Sequence, residues 1–275
     1  RGNAANTRTV GIDFILNGAF NFGAIKYQPT LIFNFIKDKV VKYDHKYSTA
    51  ILVSNLKGIP YEQKPISALY SYRWAGIDPN TGDPLGYLDG AVSKDYLGIF
   101  NNATIDNIVV HGSNIPRIFG SFRNTLSYKN FSISANIIYK LDYYFRRQST
   151  SLNYTEAYAN PHYDYTLRWQ KSGDELHTQV PSLVYTPNAN RNKFYQSSSV
   201  LVERGDHIRL KDIQFSFGIE KSQRPWLPIS HLKFYCYINN IGLLWKSNDK
   251  GLDPDSSNAP FVNPKIIAIG IQGTL

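Results

Sequence analysis

The 275-residue sequence has no methionine and a single cysteine, Cys236, and each scarcity excludes something. With no methionine even at position 1, and no apolar leader run in residues 1–8, the chain reads as a piece of a longer or processed protein. One cysteine rules out an internal disulfide framework and a thiolate metal cluster built by this chain alone. No stretch approaches the roughly 18 apolar residues of a membrane-crossing helix, so any crossing has to be made by strands. There is no G-x-S-x-G turn and no H-E-x-x-H pair, and paired carboxylates such as Asp174 and Glu175 lie in a polar connection where plain solvation is the simpler reading, so covalent chemistry has no visible starting point. The formal charge of +9 would suit nucleic acid, an anionic membrane surface or a polyanionic ligand. The basic residues are scattered, however, with Arg146–Arg147 the one arginine pair, and no groove-reading helix or zinc spacing accompanies them; nucleic acid is not expected as a partner.

Tyrosine (20) and phenylalanine (15) are abundant and recur with period two, the spacing of a strand whose two faces meet different surroundings. In the clearest case Phe131, Ile133, Ala135, Ile137, Tyr139, Leu141 and Tyr143 share one face, while Ser132, Ser134, Asn136, Ile138, Lys140 and Asp142 share the other. Residues 232–239 and 267–275 repeat the pattern, and further strands are expected at 10–22, 25–37, 66–77, 117–128 and 207–219, with 48–56 a doubtful ninth. In 207–219 the apolar parity changes between Leu210 and Ile213, which a β-bulge near Asp212 would repair. Several segments run about 12 residues. Globular strands cluster near about 5 or 6, whereas a tilted bilayer-spanning strand needs about 9 to 11. Tyr128, Tyr139, Tyr143 and Tyr144, near strand ends, suit an interfacial aromatic girdle.

The connections alternate between minimal, as at Lys129–Asn130, and long, as at 78–116, 144–206 and 246–262. Outer-membrane barrels have this asymmetry, with short periplasmic turns and longer external loops. Counting back from a periplasmic C-terminus puts the long connections on one side; upstream of residue 66 the parity stays open.

Four ordered segments carry a family resemblance: KPISALYSYRWAGIDPNTGDPLGYLDG (64–90), RNTLSYKNFSIS (123–134), GDHIRLKDIQFSFGI (205–219) and LKFYCYINNIGLLWKSNDKGLDPD (232–255). Together they resemble the C-terminal region of SusC/RagA-type TonB-dependent outer-membrane transporters across nearly the whole chain. The resemblance implies an all-β fold, an antiparallel transmembrane β-barrel segment supplying about eight or nine strands of a larger barrel, with long external loops. It implies that residues 1–275 are the C-terminal part of that barrel, without its plug domain and TonB box. It also implies no catalysis and no cofactor, an outer-membrane location, contact with outer-membrane lipid, a SusD-like surface lipoprotein as partner, the TonB complex acting through the missing N-terminal parts, and an oligosaccharide or peptide as ligand. The family's terminal strand commonly ends in an aromatic residue; here Leu275 stands last.

Asp78, Asn80, Gly82 and Asp83 superficially suggest a calcium loop, yet no bidentate Glu follows at the expected distance, and an Asx-type turn is the simpler reading. GLDPD at 251–255 reads the same way. The 144–206 connection holds Tyr154, Tyr158, Tyr163, Tyr165, Trp169, Tyr185 and Tyr195 among Asn, Ser and Arg. Tyr165, Arg168 and Trp169 are taken as its ligand-binding residues, since aromatic faces stack on sugar or peptide and a guanidinium adds directed hydrogen bonds; packing of the loop against a barrel rim would use the same residues. Two rival functions remain. A soluble all-β carbohydrate-binding module would have to bury its apolar strand faces together, and a secreted β-scaffold glycan hydrolase would need indispensable acids such as Asp164, Asp174 and Glu175.

Overall fold

The computed structural model describes residues 5–45, 47–54, 59–221, 228–256 and 263–274. Residues 1–4, the middle of the 220–230 turn, 257–262 and Leu275 therefore lie outside the described residues. The chain divides into two compact units. One holds Thr9–Lys37, Pro116–Tyr143 and Gly205–Leu275; the other holds Asp38–Ile115 and Tyr144–Arg204, together with Arg1–Arg8.

The first unit is an antiparallel sheet. Its strands lie in the order Ala5–Asn17, Ile25–Tyr43, Ile118–Tyr128, Phe131–Leu141, His207–Glu220, His231–Lys246 and Ile266–Thr274, with Phe20–Phe22 paired to the start of Ile25–Tyr43. Register keeps the two faces distinct. Ile133 stands opposite Leu126 and Phe215, Phe215 opposite Cys236, and Cys236 opposite Ile269, so the apolar positions form continuous rows across the strands. The bulge expected near Asp212 is present: Leu210 and Asp212 pair with the successive residues Ile137 and Asn136 on one neighbouring strand, with Lys211 skipped, and on the other strand the register also shifts, Leu210 pairing with Gly242 and Asp212 with Asn239. The Tyr139 hydroxyl donates to the carbonyl of Ile32 two strands away at 2.9 Å. The ring passes over Gly120, where a Cβ would stand 2.5 Å from the hydroxyl. Only glycine leaves that path open.

The apolar rows are not a core. Phe131 is 62% exposed, Ile267 66%, Ile269 82% and Ile271 68%, and Val10, Ile12, Phe14 and Leu16 at the other edge are exposed too. Ile118 pairs with Leu141, Lys140 with His207, and His207 with Lys246, so the long connections leave the sheet at one end. The near-minimal turns 22–25 and 128–131 lie at the other end. The same register settles the upstream parity: Phe35 pairs with Ile118, so Ile25–Tyr43 also runs toward the long-connection end.

The second unit corrects two expectations. The doubtful strand at 48–56 is, over its described part, the helix Thr49–Ser54, whose Leu52 and Val53 are buried next to each other. The strand expected at 66–77 reduces to Ala68–Ser71, paired with Val109–Ser113, and Gly76–Ile77. Ala68, Leu69, Tyr70 and Ser71 are all buried, so this strand is covered on both faces and has no apolar side for lipid. The 144–206 connection is folded, carrying the helices Tyr154–Ala159 and Ala189–Gln196 and a strand pair, Tyr144–Arg146 with Val202–Arg204. The unit has a core of its own, in which Leu52, Val53, Tyr70, Tyr72, Tyr96, Ile99 and Phe194 cluster, with Leu152, Tyr195 and Leu201 in a second cluster. Buried Arg146 donates to the carbonyls of Val53 (3.0 Å) and Tyr70, and Arg147 pairs with Asp164, which also accepts from Ser149 at 2.6 Å.

Candidate functional site

The polar face of the sheet is a lattice of hydrogen bonds set by cross-strand register. Ser127 and Ser132 stand 3.1 Å apart, Thr125 donates to Ser134 at 3.3 Å, and Asn136 donates to Asp212 at 3.0 Å. Arg123 lies 3.5 Å from Asp212, and Arg117 holds Asp142 at 2.5 Å. Charges at these positions suit a water-facing surface and would be costly against hydrocarbon.

At the long-connection end, the GLDPD segment is more than a solvated turn. Arg209 grips both carboxylate oxygens of Asp253 (2.5 and 2.6 Å), Lys140 binds Asp255 at 2.7 Å, and the buried ring of His207 faces Asp255 at 3.2 Å. Burial alone would raise the Asp255 carboxyl, but hydrogen bonds from His207 and Lys140 and their charges outweigh it and hold the group well below the ordinary carboxylate range. Sequence spacing gave no sign of this clamp, since Arg209 and Asp253 lie 44 residues apart. Two basic residues on polar-facing strand positions were the available signal.

In the second unit the Asp78–Asp83 turn closes on itself. Asp78 accepts the backbone N–H of Asn80 at 2.8 Å, and the ammonium of Lys94 sits 2.7 Å from Asp78 and 3.5 Å from Asp83, the place a cation would take. The Lys94 hydrogen bond, followed by the Asn80 N–H, lowers the Asp78 carboxyl to about 2. Lys94→Met is accordingly expected to return Asp78 part of the way toward about 4 in a carboxylate NMR titration; an unmoved titration would remove the lysine from this account. Gly82 has φ of +70°, and a Cβ there would stand 2.3 Å from Trp169, so the turn packs directly under that indole.

Of the residues singled out as ligand contacts, the structure brings Tyr165 and Arg168 together. The Arg168 guanidinium lies 4.2 Å from the Tyr165 ring centroid and donates to the Tyr165 carbonyl at 2.9 Å. Trp169 turns toward the Asp78–Asp83 turn, and its indole N–H donates to Glu175 at 3.0 Å. Tyr154 and Tyr185 join Tyr165 instead: their rings stack at 4.5 Å, and the neighbouring Tyr185 and Tyr165 hydroxyls raise the Tyr154 phenol. Tyr195 is buried in the core, and Tyr158 and Tyr163 are exposed.

The carboxylates a hydrolase would need are occupied. Asp164 is buried on Arg147. Backbone N–H groups of Gln170 and Lys171 lower Asp174, and the Trp169 indole foremost lowers Glu175, the opposite of what a general acid requires. Among the described residues no group of three or more His, Cys, Asp or Glu could hold a metal ion.

No family model matches the chain. It is 27% identical over 194 residues to TonB-dependent receptor P26 of Formosa agariphila, an alignment covering 62% of this chain and 18% of that protein. Among solved structures it is similar to the RagAB peptide transporter, with a TM-score of 0.71 and 21% identity over 98% of this chain and 29% of that one. The RagAB peptide importer in its open-open state gives a TM-score of 0.68 at 20% identity. The chain thus spans less than a third of the length of these relatives. The matches bear out the resemblance to SusC/RagA-type TonB-dependent transporters and the antiparallel fold of such barrel proteins. These relatives are a receptor and transporters, which supports a non-enzymatic role.

Proposed function

We propose that residues 1–275 form the C-terminal barrel wall and external connections of a TonB-dependent outer-membrane importer for glycans or peptides, acting with a SusD-like surface lipoprotein. The observation that carries this reading is the sheet's division into an exposed apolar face and a hydrogen-bonded polar face. Lipid would cover the first and a water-filled lumen the second, which satisfies both without a second sheet. A soluble module would have buried those Ile and Phe side chains instead. The one-sided long connections add support, because the end with near-minimal turns then faces the periplasm and the folded connections face outward. In this reading Tyr165 and Arg168 touch ligand and Trp169 fixes the turn beside them, while the plug and the TonB-contacting segment belong to the rest of the protein. The chain's work is conformational and involves no covalent step.

The test is uptake by the full-length receptor in an outer membrane, with labelled oligosaccharides and peptides supplied in parallel. Uptake that stops when TonB is deleted, and co-purification of the receptor with a surface lipoprotein, is the expected outcome. Entry that continues at the same rate without TonB would refute the assignment.

A further inference from the structure

We infer that the cluster Tyr154, Tyr165, Arg168 and Tyr185 is a binding site for an anionic sugar, a pyranose ring carrying a carboxylate or a sulfate. This deepens the importer reading and rests on it for the ligand's route, although binding itself can be measured apart from transport. Three features of the second unit point to it.

The first is an uncompensated cation. Arg117, Arg123, Arg147, Arg191 and Arg209 each have an aspartate within ion-pair distance, whereas Arg168, like Arg73 over the Tyr87 ring and Arg146 on the Val53 and Tyr70 carbonyls, has no carboxylate partner among the described residues. One of its nitrogens is spent on the Tyr165 carbonyl and its central carbon lies 4.2 Å from the Tyr165 ring centroid, so the guanidinium is positioned in advance for an anion. The second is an exposed stacking surface. Tyr185 is 77% exposed although it stacks on Tyr154, which leaves its outer face open for the C–H face of a sugar. The Tyr154 hydroxyl beside it can donate to an oxyanion. The third is room. A groove of about 680 Å³, within the size range of ligand sites, takes in Tyr185 alone of the four, with Leu183, Asn188, Asn190, Asp83 and Arg191, so a ligand lying in it would reach the cluster across the Tyr185 ring. Asp83 adds no bare charge there, since Arg191 holds it at 2.7 Å.

A peptide fits this place less well. Extended peptides bind by adding to a free strand edge. The nearest extended segment already uses its backbone: Trp169 N–H donates to Val180 at 2.8 Å, Ser182 to Gly82 at 2.9 Å and Tyr154 to Val184 at 2.9 Å. Rings and side-chain donors are what remain.

The test is calorimetric binding to the purified full-length receptor in detergent. The probes are oligogalacturonate and its uncharged methyl ester, a sulfated galactan oligosaccharide and its desulfated form, and an acidic peptide. At least one charged saccharide is expected to bind about tenfold or more tighter than its neutral counterpart, and which one does so separates carboxylate from sulfate. Arg168→Gln should erase that discrimination. Tyr185→Ala should weaken both forms, and Tyr158→Ala, on a tyrosine outside the cluster, should change neither. Equal binding of charged and neutral forms, discrimination that survives Arg168→Gln, no saccharide binding, or tighter binding of the acidic peptide would each overturn the site. Intact discrimination in a receptor that fails to import would count against the importer reading alone.

Discussion

Ile269→Arg in the full-length protein is expected to cost about 2–4 kcal/mol of assembly in the membrane, whereas Gln214→Arg costs little. Ile269 is 82% exposed, in the row with Cys236, Phe215 and Ile133, and makes no polar contact that could hold a guanidinium. Gln214 lies opposite Ser134 on the polar face, where Arg123 already sits. The residue introduced is the same and only the face differs, so a general intolerance of arginine would affect both. The readout is the heat-modifiable folded fraction on a gel of outer membranes. It should fall sharply for Ile269→Arg and stay near wild type for Gln214→Arg.

The second large effect is expected in the other unit. Arg147→Met leaves Asp164 buried, with Ser149 as its remaining side-chain donor, and Glu203 loses the guanidinium 3.8 Å away. Removing one partner of a buried pair costs about 3–5 kcal/mol, because the carboxylate left behind cannot reach water. Limited proteolysis of the full-length protein should show cleavage within 144–204 at a denaturant concentration that leaves the wild type intact. Arg168→Gln, which breaks no ion pair, should leave that threshold unchanged. Equal thresholds for Arg147→Met and wild type would show that the pair does not hold this unit.

The long sheet strands were legible because each meets two different surroundings, and period-two alternation records that difference. Phe131–Leu141 and Ile266–Thr274 read almost directly, and the parity change between Leu210 and Ile213 exposed the bulge at Lys211. The second unit was less legible for the same reason. Ala68–Ser71 is covered on both faces, so its pattern could not separate a buried strand from a lipid-facing one. Thr49–Ser54 and Tyr154–Ala159 are too short for a helical period to emerge from the sequence. Part of the candidate site could be found, since Tyr165 and Arg168 are three residues apart and meet locally. Tyr185 could not be placed against Tyr154, 31 positions earlier, without the fold between them. Likewise the carboxylates of GLDPD looked solvated because their cationic partners come from strands distant in sequence.

The central claim is that the exposed apolar rows face lipid and the opposite rows face water, and site-directed spin labelling of the full-length receptor in bilayers tests it most directly. Labels placed singly from 131 to 137 and from 267 to 272 are compared for collisions with oxygen, which concentrates in lipid, and with a water-soluble nickel chelate. Accessibility should alternate with period two, oxygen dominating at 131, 133, 267, 269 and 271 and nickel at 132, 134 and 272. Labels at Ile267, Ile269 and Ile271 shielded from both reagents would place those side chains inside a protein core and contradict the account.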